Sequence, residues 1–397
     1  MLDLSRKELA VNGGRPIRTK KWKDNVTTGE KEKDAVLRVM ESGYLSLFEG
    51  SHHPDEPFSF YGGPEVRALE EEWGAYYGVK NAVSLNSATS CLYAAMGALE
   101  IGYGDEVIVS PYTMTACALA PLVYGAIPVF ADVELATGSM SAASIEKVLS
   151  PKTKAIFVVH QFGIPAEMES IGSLAQKHNL KIVEDCAQAH GSKLGGKYVG
   201  TFGDIGVFSL NVNKSIQSGE GGLCITDDKE LAYRLALIRN HGEAVVGPAS
   251  YENITNIAGF NYRLTEIQAA IAREQLKRLD ELNSKRLEMV QHLSTNLLSV
   301  PFLTPLKGGP ASHPTYYVYP MRYDEVQAGA PREQFVRAVN AEGALFFQGY
   351  TPPLYLQPVY QNKTLFKHGY PFTAKENLDS SQNYNVGICP NTERLHY

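Results

Sequence analysis

Between residues 81 and 226 the chain is punctuated by short apolar runs, at 82–85, 106–109, 128–130, 155–159, 181–183, 206–209 and 223–226. They are rich in β-branched residues and bounded by Gly, Asp or Pro, which predicts buried strands. Stretches with helical patterning separate most of them, at 90–99, 115–124, 168–178 and 229–240. Strand–helix alternation of this kind predicts an α/β fold with a mostly parallel sheet sandwiched by helices. The last two runs are joined by a short loop, so that part of the sheet should depart from simple alternation.

From Leu264 the pattern changes. Ile267, Ala270, Ile271, Leu276, Leu279 and Leu282 recur at helical spacing on a charged background, predicting one long amphipathic helix or two in sequence over 265–298. Residues 316–321 alternate like a strand, and 333–342 read as a helix. The expected organisation is an N-terminal arm (1–30), a large α/β domain (31–263), and a linking helix with a smaller α+β C-terminal domain (264–397). The Pro- and Tyr-rich stretch 352–384 should be irregular, and there is no internal repeat.

Composition narrows the class. Apolar residues make up 44% of the chain and charged residues 20%, the balance of a globular protein with a sizeable core. The formal charge of -6 offers no basic excess for nucleic acid or an anionic membrane. Apolar stretches fall short of the roughly 20 residues that a bilayer span needs, and no signal-peptide pattern opens the chain. The five cysteines are scattered without CxxC spacing. They predict reduced thiols in a cytoplasmic protein, with no metal site.

The candidate chemistry lies near the strand ends. Lys214 follows a buried run and precedes Gly219, Gly221 and Gly222. A lysine in such a loop is commonly solvated, but in a desolvated pocket it becomes a nucleophile toward carbonyls. Asp185 ends a parallel strand, where open α/β sheets bind ligands, and it reads either as a partner for a pyridinium nitrogen or as a helix N-cap. Gln188 could reach a ring substituent from the same side, whereas His190 reads as a packed histidine. The run Asn86-Ser-Ala-Thr-Ser-Cys91 reads as a phosphate cradle at a helix start or as an ordinary cap. Neither GxGxxG nor GxxxxGK[ST] is present.

Four ordered motifs carry a resemblance: Gly102-Tyr-Gly-Asp-Glu-Val-Ile-Val-Ser-Pro-Tyr-Thr113, Glu184-Asp-Cys-Ala-Gln-Ala-His-Gly191, Phe208-Ser209 with Lys214 and Gly219-Glu-Gly-Gly222, and Gly259-Phe-Asn-Tyr-Arg-Leu-Thr-Glu-Ile-Gln-Ala-Ala270. From about Leu9 to Glu393 the chain resembles the DegT/StrS-type sugar aminotransferases, fold-type I enzymes dependent on pyridoxal 5'-phosphate (PLP). The resemblance implies that Lys214 links to PLP and moves the proton, that Asp185 partners the ring nitrogen, and that Gln188 lies beside the ring oxygen. It implies that Ala88, Thr89 and Ser209 hold the phosphate. Asn261 would reach that phosphate from the neighbouring subunit of a homodimer with shared sites; its alternative is a cap on the following helix. Met114, with Tyr112 close by, stands where the family usually stacks an aromatic ring on PLP.

The implied activity is transfer of an amino group from glutamate or glutamine to a keto sugar, carried on a nucleotide, in amino-sugar biosynthesis. The alternatives are a cyclitol (inosose-type) aminotransferase, a PLP-dependent sugar dehydratase and a catalytically silent relative. Lys214 argues against the dehydratase, whose relatives carry histidine there, and the intact set of site residues argues against the silent relative. Substrate choice is expected in 47–63, in 243–258 and around His313, as loops on a rigid scaffold.

Overall fold

The computed structural model describes residues 2–50, 58–242 and 251–397. Helices α1 (Glu30–Ser42) and α2 (Pro64–Tyr77) lead into strand β1 (Asn81–Leu85). Then α3 (Ala88–Ala98), β2 (Glu106–Val109), α4 (Ala116–Val123), β3 (Ile127–Phe130), α5 (Ala142–Glu146), β4 (Thr153–Val159), α6 (Met168–His178) and β5 (Lys181–Asp185) alternate. The short strands β6 (Lys193–Leu194) and β7 (Lys197–Tyr198) precede β8 (Ile205–Ser209), β9 (Gly222–Thr226) and α7 (Lys229–Arg239). The remainder comprises α8 (Glu266–Leu276), α9 (Leu279–Leu297), β10 (Leu303–Pro305), β11 (Ser312–His313), β12 (Met321–Tyr323), α10 (Glu325–Ala328), α11 (Arg332–Ala341), α12 (Pro358–Gln361) and α13 (Pro390–His396).

Seven strands form one sheet in the order β1-β9-β8-β5-β4-β2-β3. Only β9 runs against the others, pairing antiparallel with both β1 and β8. That is the departure anticipated from the short β8–β9 connection. The strands are buried nearly throughout, as in β2, β3, β8 and β9, because helices cover both faces. The small-residue helix α3 packs with α4 and α7 in one apolar cluster, α5 and α6 lie in a second, and α2 and α8 cover β8 and β9 in a third.

The expected linking helix is two helices in sequence, α8 and α9. The expected strand at 316–321 is not one: Tyr316 adopts a left-handed φ of 49°, and pairing is confined to β12 against β10. The strand-like alternation there reflects aromatic side chains directed to different neighbours rather than a ladder. Two connections cross the expected boundary at residue 264. Strand β11 pairs with β6, joining the hairpin β6–β7 to the second region. Residues 354–389 turn back onto the large sheet, where Tyr355, Tyr360 and Tyr384 surround Phe130 at ring-centroid distances of 5.7, 5.3 and 5.8 Å. The arm lies on α11, where the Glu342 carboxylate accepts the N–H groups of Ala10 (2.8 Å) and Ile17 (3.0 Å).

Asp132, just past β3, caps the last helix from a distance. Its carboxylate accepts the N–H groups of Asn391 (2.9 Å) and Thr392 (3.0 Å) and the Thr392 hydroxyl (2.9 Å). Helix N-termini leave such donors without intrahelical partners. Asp132→Ala should therefore cost about 1–3 kcal/mol. Equilibrium urea unfolding would read this as a lower midpoint; an unchanged midpoint would show that solvent caps α13 equally well.

Candidate active site

The shared direction of the parallel strands brings the carboxyl ends of β1, β2, β4, β5 and β8 to one edge of the sheet. Asp185 ends β5 and Ser209 ends β8, both almost fully buried. The Asp185 carboxylate accepts the Cys117 thiol at Oδ2 (3.0 Å) and the Ala187 N–H at Oδ1 (2.9 Å). The second contact makes Asp185 the head of an Asx turn rather than the helix cap of the alternative reading. Burial, and then the Asp185 charge, push the Cys117 thiol far above its ordinary range, so it stays a protonated donor.

Gln188 is held at both ends of its amide. Its Oε1 accepts the Phe162 N–H (2.9 Å) and its Nε2 donates to the Tyr350 hydroxyl (2.7 Å). One amide hydrogen remains to it. His190 is fully buried, edge-on to Trp73 and Phe208, and neither ring nitrogen has a hydrogen-bond partner of good geometry among the described residues. Burial, reinforced by the Lys214 and Arg286 charges, pushes its pKa down to about 3.

Lys214 lies in the extended β8–β9 hairpin, closed by Leu210 N–H to Gly221 O (2.8 Å) and Val212 N–H to Gly219 O (2.9 Å). Its Nζ stands 4.8 Å from the centroid of the Tyr317 ring. Among the described residues it forms no ion pair. Burial lowers its pKa, and the Asp185 charge offsets part of that fall. The next residue, Ser215, accepts a hydrogen bond from Arg286 Nη1 (3.1 Å). Arg286 also donates to Asn283 Oδ1 (3.1 Å), and Asn283 Nδ2 donates to the His190 carbonyl (2.9 Å). Helix α9 thus ties the lysine hairpin to the loop that follows Asp185.

Ala88 and Thr89 open α3, with Ser87 as N-cap accepting the Ser90 N–H (3.0 Å). Their own N–H groups have no intrahelical acceptor, the arrangement that binds anions. Gly222 of β9 passes so close that a Cβ there would lie 2.6 Å from the Ala88 nitrogen. At the far end of α3, Arg234 donates to the carbonyls of Ala98 (2.9 Å) and Gly97 (3.0 Å), fixing the helix at its negative pole. Met114 is exposed on the loop after β2, one turn before Cys117. Tyr112 is buried, edge-on to Tyr350. Asn261 is exposed and bridges Asn240; in its own chain it lies beside Asn86, whose N–H donates to the Tyr262 carbonyl (2.8 Å).

Lys214, Asp185, Gln188, Ser209 and the start of α3 therefore converge on one sheet edge. Tyr317, Tyr350, Cys117 and Arg286 join them, and the sequence carried no signal for any of these beyond the glycine after β4. His160, Glu184 and Cys186 form a buried cluster of metal-ligand type. Its carboxylate is already occupied by the Gly200, Phe202 and Gly203 N–H groups (2.8, 2.7 and 2.6 Å) and by His160 Nε2 (2.9 Å), so the cluster is structural. Of the segments expected to select substrate, 51–57 and 243–250 lie outside the described residues, and His313 sits in β11.

A lysine and a carboxylate at the edge of a doubly covered α/β sheet, with a free helix start beside them, characterise the fold and site of an aminotransferase. The chain belongs to the DegT/DnrJ/EryC1/StrS aminotransferase family, whose model matches residues 57–381. It is 38% identical over 306 residues to a UDP-N-acetyl-3-dehydro-alpha-D-glucosamine 3-aminotransferase of Acidithiobacillus ferrooxidans, covering 77% of this chain and 79% of that one. It is 33% identical over 395 residues to an L-glutamine:2-deoxy-scyllo-inosose aminotransferase of Streptoalloteichus tenebrarius, covering 98% and 90%. S. venezuelae DesV, solved in complex with a ketimine intermediate, superposes with a TM-score of 0.73 at 31% identity, covering 88% and 87%. Enzymes of this family use PLP.

The buried His190 sets a pH dependence. A histidine whose folded pKa lies below its unfolded value leaves the unfolded chain binding the extra proton. Stability is then lost as pH falls from about 6.5 toward 3, at up to about 1.4 kcal/mol per pH unit. His190→Phe should flatten that part of a stability–pH curve measured by denaturant titration. A curve parallel to wild type would show that other groups govern the acid limb.

Proposed function

We propose that this enzyme is a PLP-dependent aminotransferase that moves an amino group from glutamate or glutamine to the keto group of a nucleotide-linked sugar in amino-sugar biosynthesis. The observation that carries the reading is the convergence of Lys214, Asp185, Gln188, Ser209 and the unpaired α3 start. These residues fit PLP: the α3 N–H groups and the Ser209 hydroxyl would hold its phosphate, and Gly222 keeps the cradle clear of a side chain. When bound, PLP supplies an electron sink for the pair left behind as a proton leaves the substrate carbon.

The protein's own groups have separable tasks. The Asp185 carboxylate, with the Cys117 thiol and the Ala187 N–H already on its oxygens, keeps acceptor capacity for the ring N–H and so holds a proton there. The remaining Gln188 amide hydrogen would be available to the ring oxygen. The exposed Met114 thioether would pack on the ring face in place of an aromatic side chain. Lys214 Nζ, desolvated and therefore easily deprotonated, is both nucleophile and proton carrier.

A second reading, a cyclitol aminotransferase, is favoured by the nearly full-length similarity to the inosose enzyme. One experiment addresses both. Borohydride reduction of the PLP-loaded protein and peptide mapping should place the pyridoxyl label on Lys214, and a label elsewhere would overturn the assignment. Nucleotide-linked keto sugars and scyllo-inosose are then offered with glutamate and with glutamine. Turnover of the free cyclitol alone would replace the first reading with the second.

We further propose that the enzyme is a homodimer in which Asn261 reaches the partner's phosphate site. Asn261 is exposed, and Tyr44, Leu45 and Phe58 are exposed apolar side chains of the chain's surface that a partner could cover. Lys214→Ala chains mixed with Asn261→Ala chains should regain activity, because a mixed dimer then has one site free of both lesions. If mixed dimers form and activity stays at the parental level, Asn261 serves its own chain.

A further inference from the structure

Lys214 is the reactive amine of the proposed site, yet the group against its Nζ comes from far along the chain and has no role in that reading. Tyr317 is delivered by an unusual crossing. After β4 the backbone turns through two left-handed residues, Phe162 (φ 60°) and Gly163 (φ 86°), and Tyr316 is left-handed as well (φ 49°). A Cβ on Gly163 would stand 2.7 Å from the Gln188 carbonyl oxygen and 2.9 Å from the Tyr316 nitrogen. The glycine is what lets the three segments cross. The crossing is then sealed by backbone bonds, Tyr317 N–H to Phe162 O (2.8 Å) and Thr315 N–H to Gly163 O (3.1 Å). The Phe162 N–H in turn rests on the Gln188 side chain (2.9 Å). Left-handed non-glycine residues cost energy and cluster where a site requires a fixed geometry. Here the rigid crossing presents one ring to one amine.

Resting on the reading of Lys214 as the reactive amine, we propose that Tyr317 is its positioning residue: the ring face holds the protonated amine at the site through a cation–π contact. An ammonium over an aromatic face is stabilised relative to the neutral amine. The ring therefore works against burial, in the same direction as Asp185 at the end of β5. Among the described residues, the other titratable or charged groups that bear on this pocket include His190, neutral in its burial near Lys214, and Arg286 on α9, whose charge acts on both His190 and the Tyr317 phenol. Without the ring, the amine should lose its proton more readily and its fixed position with it. The phenol oxygen is not needed for this task, so phenylalanine should suffice.

The test compares Tyr317→Phe, which keeps the ring, with Tyr317→Leu, which removes it. In cofactor-free protein Lys214 is labelled with a small amine-reactive reagent between about pH 7 and 11, and the labelled peptide is quantified by mass spectrometry. The phenylalanine variant should titrate with the wild type. The leucine variant should titrate lower by about half a pH unit. A leucine midpoint equal to or above wild type, or a phenylalanine shift as large as that of leucine, overturns the proposal. Circular dichroism checks the fold, and Tyr317→Met takes the place of a leucine variant that does not fold. A parallel incubation with PLP and borohydride separates the two claims. If wild-type Lys214 takes up no pyridoxyl label, the cofactor reading fails while the amine titration still judges Tyr317.

Discussion

A buried carboxylate organises the centre of this molecule. Glu184 points to one face of β5 and Asp185, the next residue, to the other, as strand geometry requires. A carboxylate removed from water must have its oxygens filled. Glu184 draws in three N–H groups of the loop before β8, those of Gly200, Phe202 and Gly203, and the His160 ring. His160 Nδ1 accepts the Ala166 N–H (3.0 Å), so Nε2 carries the hydrogen that goes to Glu184. The turn after β4, the loop before β8 and the end of β5 are thereby fixed to one another. Asp185 inherits its position from that arrangement, and the turn that presents Tyr317 begins two residues after His160.

The parts contributed by distant segments are held by the same kind of bond. Helix α9 reaches the lysine hairpin through Arg286 and the Asp185 loop through Asn283, while Tyr350 meets Gln188 from the C-terminal third. Each contact pairs a side chain with a backbone or hydroxyl group rather than with an opposite charge. Such contacts are weakly screened by salt compared with surface ion pairs. The lysine and the carboxylate therefore keep their relation without any direct salt bridge between them among the described residues.

Much of this was legible in the sequence. The strands at 82–85, 106–109 and 206–209 and the helix at 168–178 declare themselves through local periodicity, because burial on both faces leaves uninterrupted apolar runs. Lys214, Asp185 and Gln188 could be singled out because they lie at or just past strand ends, whereas Ser209 came only from the family resemblance. Tyr317 could not, since its importance comes from a crossing of three segments that no local window contains. The same holds for 316–321, where alternating aromatic residues imitate a strand although a left-handed Tyr316 forbids one. Cys117 looks like a small apolar residue on an apolar helix, and only the approach of β5 makes it a donor. The apparent boundary at residue 264 marks a change of periodicity, which says nothing about the returning chain.

That return has a consequence for how the protein is made. Phe130 ends a strand whose neighbours Tyr355, Tyr360 and Tyr384 lie more than two hundred residues later in the chain. At ribosomal speeds of about 5–20 residues per second, the flank of β3 stays uncovered for on the order of ten seconds or more after it emerges. During synthesis the sheet presents an incomplete apolar face beside an open edge strand, a surface prone to association. The apolar flank of β3 is thus completed only once the C-terminal segment that carries Tyr355, Tyr360 and Tyr384 has emerged.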